Sequence, residues 1–119
     1  MANANQTQMD RCIKDCGECA AICAKCSHHC LGMGGDHASK RHQNIMQDCA
    51  QICATAVSFM ARDSAHATHV CRECAEICEA CGESCASLAE GDEMMTRCAE
   101  ICRRCAESCR QMSGAGAGR

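Results

Sequence analysis

Sulfur-bearing and apolar positions recur along this chain at alternating intervals of three and four residues. Cys12, Cys16, Cys19, Cys23, Cys26 and Cys30 are separated by 4, 3, 4, 3 and 4 residues. Cys71, Cys74, Cys78, Cys81 and Cys85 repeat the alternation, and Cys98, Cys102, Cys105 and Cys109 do so again. Between these blocks, Cys49 and Cys53 share a stripe that Met46, Ala56 and Met60 extend. Such spacing puts each set on one face of an α-helix. The cysteines take the a and d positions of a heptad, where a bundle ordinarily places Leu and Ile.

Turn residues divide the pattern into four helices. The first is expected over about 7–31, ended by Gly32, Gly34 and Gly35. The second is expected over 36–62, capped by Asp36 or Ser39, and the third over 64–90, opened by Asp63 or Ser64 and stopped by Gly91. Asp92 caps a fourth helix over 92–112. Residues 1–6 and the tail 113–119 (SGAGAGR) read as disordered. An internal repeat supports the division: CAAIC at Cys19, CAQIC at Cys49, and CAEIC at Cys74 and Cys98 share one frame. In that frame Ala sits at e and permits close helix approach, while Ile at g packs between neighbouring helices or subunits. Connections this short favour antiparallel neighbours. The expected fold is all-α: an antiparallel up-down-up-down four-helix bundle with a Cys-lined core.

Composition sharpens this picture. Of the 119 residues, 17 are Cys, 8 are Met and 20 are Ala, leaving only 11 Leu, Ile, Val or Phe. That is about 9% of the chain, below the ~20% under which a sequence begins to read as disordered. Sulfur side chains must therefore line the interior, as free Cys often does. A net charge of -3 with the two signs interspersed argues against a nucleic-acid or anionic-membrane partner. Phe59 is the only aromatic, so base-stacking platforms are missing too. No run approaches 18 apolar residues, and the N-terminus MANANQTQMDRC lacks the charged and apolar regions of a signal peptide. The expected compartment is the cytoplasm, where thiols stay reduced.

Four chemistries compete for the thiols. Structural disulfides fit poorly within a stripe: residues three or four apart have Cβ atoms about 5–6 Å apart, whereas a disulfide needs roughly 3.5–4.5 Å. Bonds between helices, and with them a redox-regulated protein, remain an alternative. The iron–sulfur string CxxxCxxC occurs four times, at Cys12, Cys19, Cys74 and Cys98, but as a by-product of the heptad and without the Cys-Pro of ferredoxins. A general zinc buffer would have thiols for about four tetrahedral sites, each retaining a charge of about -2 that is costly to stack in a narrow bundle. Cu(I) suits soft thiolates and thioethers best. With a metal–sulfur distance of ~2.3 Å, a linear S–M–S unit spans about 4.6 Å, within reach of an i, i+4 pair. If each thiolate bridges two metals, capacity approaches about one Cu(I) per Cys, and each Cu⁺ offsets one buried thiolate.

The stripes CIKDCGECAAICAKCSHHC and CRECAEICEACGESC, with the shorter CAQIC and CAEICRRCAESC segments, resemble the cytosolic copper storage proteins. The resemblance covers about Cys12 to Met112. It implies a four-helix bundle, usually assembled as a homotetramer, that holds multiple Cu(I) ions inside each bundle, mostly on Cys thiolates. It also implies Met and His near one open end, where metal enters.

In an up-down-up-down bundle one end gathers Met33, His37, His42, Met46, Met94 and Met95, and the other Met9, Met60, His66, His69 and Met112. Thioethers bind Cu(I) without deprotonation and more weakly than thiolates, which suits transient capture. The resemblance favours the first end, so the expected metal ligands are the 17 cysteines together with Met46, Met94, Met95 and His42. No catalytic constellation stands out, because a Cys–His pair such as Cys26 with His28 lies on a face already given to the stripe. The reading is cytosolic storage and sequestration of Cu(I), without enzymatic activity, with a copper chaperone or efflux protein as the delivering or removing partner.

Overall fold

The computed structural model describes residues 4–114, which form α1 (Ala4–Met33), α2 (Lys40–Ala61), α3 (Ala67–Ala89) and α4 (Glu93–Met112). A 3₁₀ turn, Gly35–Ala38, lies between α1 and α2. The described residues contain no strand. Helix α1 has 30 residues; at 1.5 Å rise it is about 45 Å long, and the molecule measures 48 × 22 × 21 Å. α1 therefore runs the length of the bundle.

Contacts between the stripes fix the topology. α1 descends along α2 from Cys19–Cys49 (3.7 Å between sulfurs) to Cys30–His42 (3.5 Å). α2 and α3 meet at Cys49–Cys78 and Cys53–Cys74, each 3.6 Å, and α1 meets α4 at Cys16–Cys109 (3.5 Å) and Cys23–Cys98 (3.8 Å). In every pair one number rises as the other falls, so neighbours are antiparallel. The fold is the up-down-up-down four-helix bundle that short loops and helical periodicity predict.

Several boundaries differ from the sequence expectation. α1 starts at Ala4, within the stretch 1–6 expected to be disordered; residues 1–3 lie outside the described residues. A Gln6 Nε2 to Asp10 Oδ1 bond of 3.2 Å joins neighbouring turns there. α1 also passes through Gly32 to Met33 and stops where Gly34 takes φ 74°. A glycine only weakens a helix, whereas the left-handed conformation ends it. α2 begins at Lys40 and not at 36, because Ser39 is its cap, its Oγ accepting from His42 N at 3.2 Å. α3 begins at Ala67 and not at 64: Asp63, at φ 54°, closes off α2, and Ser64 Oγ accepts from His66 N in the loop. Asp92 caps α4 through its Oδ1, which accepts from Met95 N at 3.0 Å. Of the tail 113–119, Ser113 and Gly114 form a turn, and 115–119 lie outside the described residues.

The core is made of sulfur. All 17 cysteines are fully buried, with Met46, Met60 and Met95 as the largest side chains among them. Ala67, Ala75, Ala99, Ile101 and Ala106 complete the buried hydrophobic set on α3 and α4, while Ile22, Ile52 and Ile77 pack half-buried against it. Gly82 lets α3 approach α4 closely, since a Cβ there would lie 3.4 Å from both Ala99 O and Cys102 Cβ. Among the described residues no helix is long and apolar enough to cross a membrane.

Candidate metal centre

The heptad delivers thiols from four walls into one axial column. Within a helix, sulfurs one turn apart are 3.9 Å apart at Cys12–Cys16 and Cys19–Cys23, and 3.8 Å at Cys74–Cys78. Between helices they approach to 3.5 Å at Cys53–Cys78 and Cys16–Cys105. These are thiol contacts; all 17 cysteines are free. With a metal–sulfur bond of ~2.3 Å, the sulfurs of a three-coordinate ion stand about 4.0 Å apart and those of a linear one about 4.6 Å. The column thus fits trigonal sharing with adjustments of a few tenths of an ångström, and linear pairs with side-chain rotation.

The cysteines divide into compact groups. Cys16, Cys53, Cys74 and Cys105 bring one sulfur from each helix within 4.8 Å of one another, as do Cys19, Cys53, Cys78 and Cys105. Cys19, Cys23, Cys49 and Cys102 form a further quartet, and Cys12–Cys16–Cys109 and Cys26–Cys85–Cys98 form triads nearer the two ends. Cys19, Cys53 and Cys105 each belong to two quartets and Cys16 to a quartet and a triad. One thiolate can therefore reach two metals. The second wall, with only Cys49 and Cys53, still reaches every quartet.

Mutual hydrogen bonding sets the acidity of the column. Cys105 donates to Cys16 Sγ at 3.5 Å and, with Cys109 and Cys12, holds Cys16 below the usual thiol range. Cys26 is pushed up by hydrogen bonding with Cys85 and Cys98 and by burial. Burial raises Cys30. A monovalent cation that replaces one thiol proton leaves the charge of the column unchanged.

One end of the column carries nitrogen and thioether as well as thiol. His42, on the first turns of α2 and only 2% exposed, places Nε2 3.5 Å from Cys30 Sγ and Nδ1 2.7 Å from Ser84 Oγ. Burial, and then the neighbouring His37, lower its basicity and keep the ring neutral, the form that binds metal. Met46 and Met95 are fully buried in the core cluster, whereas Met94 is half-buried against it. Met33 is exposed. His37 and His29 face away from the sulfurs: His37 Nε2 bonds Leu88 O at 3.0 Å and His29 Nε2 bonds Asp92 Oδ2 at 2.8 Å, tying the connections together. At the opposite end Met60 is buried and Met9 and Met112 are half-buried, while His66 and His69 are exposed.

Two features have no sequence signature. Ser84 orients the His42 ring, but nothing in the third stripe marks it among the polar positions of α3. Asp15 is buried and accepts from Ser108 Oγ across the α1–α4 contact, with the heptad giving no sign of a carboxylate there. Such partners lie far apart in the chain and become neighbours only when helices pack.

The family model described as copper storage protein matches residues 5–114. The Cu(I)-bound copper storage protein BsCsp3 superposes with a TM-score of 0.81 at 36% identity, covering 89% of this chain and 98% of that one. A cytosolic copper storage protein from Streptomyces lividans, solved with five coppers, gives a TM-score of 0.85 at 28% identity, covering 95% of this chain and 98% of that one. The uncharacterized cysteine-rich protein YhjQ of Bacillus subtilis is 36% identical over 67 residues, which is 56% of this chain and 62%, under two thirds, of that protein. With nearly its whole length matched and its thiols in one buried column, this chain belongs to the copper storage protein family.

Proposed function

We propose that this protein stores and sequesters many Cu(I) ions on the thiolates of its core. The observation that carries the reading is the column of 17 buried free thiols, in which most sulfurs lie 3.5–3.9 Å from another on the same or an adjacent helix. Soft sulfur selects Cu(I), and shared thiolates allow about one ion per Cys. A stack of Cu⁺ ions and thiolates is electrically balanced, which a buried site needs. The ligands are the cysteines of all four stripes, with His42, Met46, Met94 and Met95 forming the entrance. The His42–Cys30 contact and the two buried thioethers support that end, because they join weaker ligands directly to the column.

Storage, not catalysis, fits the site. Among the described residues the Cys–His contact is that of Cys30 with His42, yet burial raises the thiol. A catalytic cysteine needs its thiolate stabilised and a substrate pocket beside it. The protein acts in the cytoplasm as a homotetramer, with copper delivered or removed by a chaperone or efflux protein. A face of small side chains on α1 and α2, including Gly17, Ala20, Ala24, Ala50 and Ala54, supports close assembly of copies.

Anaerobic titration of reduced protein with Cu(I), followed by gel filtration and metal counting, tests the storage reading. Retention of about 17 ions per chain, within several equivalents, is expected. Saturation near four, with equal affinity for Zn²⁺, contradicts it.

A further inference from the structure

The four-thiol groups have a geometry that suits a second class of metal. In a tetrahedral site with bonds of ~2.3 Å the sulfurs are about 3.8 Å apart. In the quartet of Cys19, Cys23, Cys49 and Cys102, the Cys19 sulfur is 3.9 Å from Cys23, 3.7 Å from Cys49 and 3.8 Å from Cys102, and Cys23–Cys102 is 3.6 Å. In the quartet of Cys16, Cys53, Cys74 and Cys105, three edges measure 3.5, 3.6 and 3.8 Å. The remaining edges of both stay within 4.8 Å. These two quartets share no residue. The third, Cys19, Cys53, Cys78 and Cys105, takes thiols from both, so filling it excludes the others.

We propose that, without copper, each bundle holds two divalent ions of zinc size at two separate four-thiolate sites, Cys16/Cys53/Cys74/Cys105 and Cys19/Cys23/Cys49/Cys102. The sequence-level objection is charge: each ion displaces four thiol protons to solvent and leaves a net charge of about -2. The structure supplies compensation. Cys81 and Cys98 lie 3.9 and 3.8 Å from Cys23, and Cys78 lies 3.6 Å from Cys49. Around the other site, Cys109 and Cys12 lie 3.5 and 3.9 Å from Cys16, and Cys78 is 3.5 Å from Cys53. These outer cysteines stay protonated, and each S–H donates weakly to one bound thiolate, that of Cys78 serving either Cys49 or Cys53. Each dianionic site is thus flanked by neutral thiols, and the two approach one another where Cys19 lies within 4.8 Å of Cys53 and Cys105, so the bundle sustains two such sites but not the four that a count of cysteines suggests. Cu(I) displaces both ions, since softer metals that accept bridging thiolates recruit every sulfur. The proposal stands on the quartet geometry and is independent of copper capacity.

Cobalt(II) is the probe, because tetrahedral thiolate coordination gives it intense visible bands and sulfur-to-metal charge transfer. Reduced, metal-free full-length protein is titrated anaerobically with Co²⁺, and retained Zn²⁺ is counted after gel filtration in parallel. The expected result is two equivalents of each metal with four-thiolate cobalt spectra, falling to one in Cys102→Ser and in Cys74→Ser. Cys71→Ser, which lies in neither quartet, retains two. Cys23→Ser replaces Cys102→Ser if the latter loses its helical circular dichroism. Absent tetrahedral bands, or equal loss in all three variants, overturns the proposal; Cu(I) uptake measured on the same samples reports on storage separately.

Discussion

Replacing Cys23, Cys53, Cys78 and Cys102 with Ser removes one sulfur from each wall at mid-column. Cys53 belongs to two of the four-thiol groups, Cys78 to one, and Cys23 and Cys102 to the remaining one, so every quartet loses at least one ligand. If each thiolate makes two bonds and each copper takes two, four thiolates account for about four ions. Capacity is then expected to fall from about 17 to about 13 Cu(I) per chain. The fold is weakened too. Each Ser brings a buried hydroxyl whose neighbours are sulfurs, weak acceptors, and a poorly satisfied hydroxyl costs about 1–3 kcal/mol. Partial bonding to those sulfurs puts the total at roughly 2–6 kcal/mol, against a typical stability of about 5–15 kcal/mol. Far-UV circular dichroism with urea melts establishes that the variant is folded, and anaerobic titration against a chromophoric Cu(I) chelator counts the ions. A folded variant that still retains about 17 ions refutes the bridging scheme.

Changing Met46 and Met95 to Leu should cost less than about 1.5 kcal/mol each, reduce capacity by only a few ions and slow copper transfer in stopped-flow measurements. Unchanged rates there, with slowed rates after changing Met9, Met60 and Met112, place the entrance at the other end. His42 is less basic in the fold than its ordinary value of 6.5, so below that pH the unfolded chain binds the extra proton first and the copper-free protein loses stability as pH falls. Urea melts from pH 7.5 to 5 should show this loss and show it reduced in His42→Gln. Ser108→Ala leaves the buried Asp15 carboxylate without its partner and should destabilise the protein by about 1–3 kcal/mol in urea melts; a change within experimental error contradicts the importance of that pair.

Much of this architecture is written in the stripes. Three-and-four spacing fixes which face of each helix turns inward, and sulfur is almost the only apolar material available to fill it, so the buried column follows from the cysteine positions. The Ser39 and Asp92 caps are legible because a short polar side chain at a helix start has one local job. Gly32 misleads: glycine marks where a helix can end, but the ending is decided at Gly34, where the backbone turns left-handed. Asp63 misleads for the converse reason, adopting that conformation to finish α2 when its chemistry also suits opening α3. His42 is legible as a ligand by position, yet its tie to Ser84, like the Asp15–Ser108 pair, depends on how helix faces meet. Register between helices is set by packing across the whole bundle, not by any local pattern.

Copper K-edge X-ray absorption on protein loaded anaerobically to near capacity examines the shared thiolate column most directly. Bridging predicts a Cu(I) edge, a first shell of two to three sulfurs, and a strong copper–copper scattering contribution from ions held by common thiolates. A first shell dominated by nitrogen or oxygen, or all-sulfur coordination without copper–copper scattering at high loading, contradicts it.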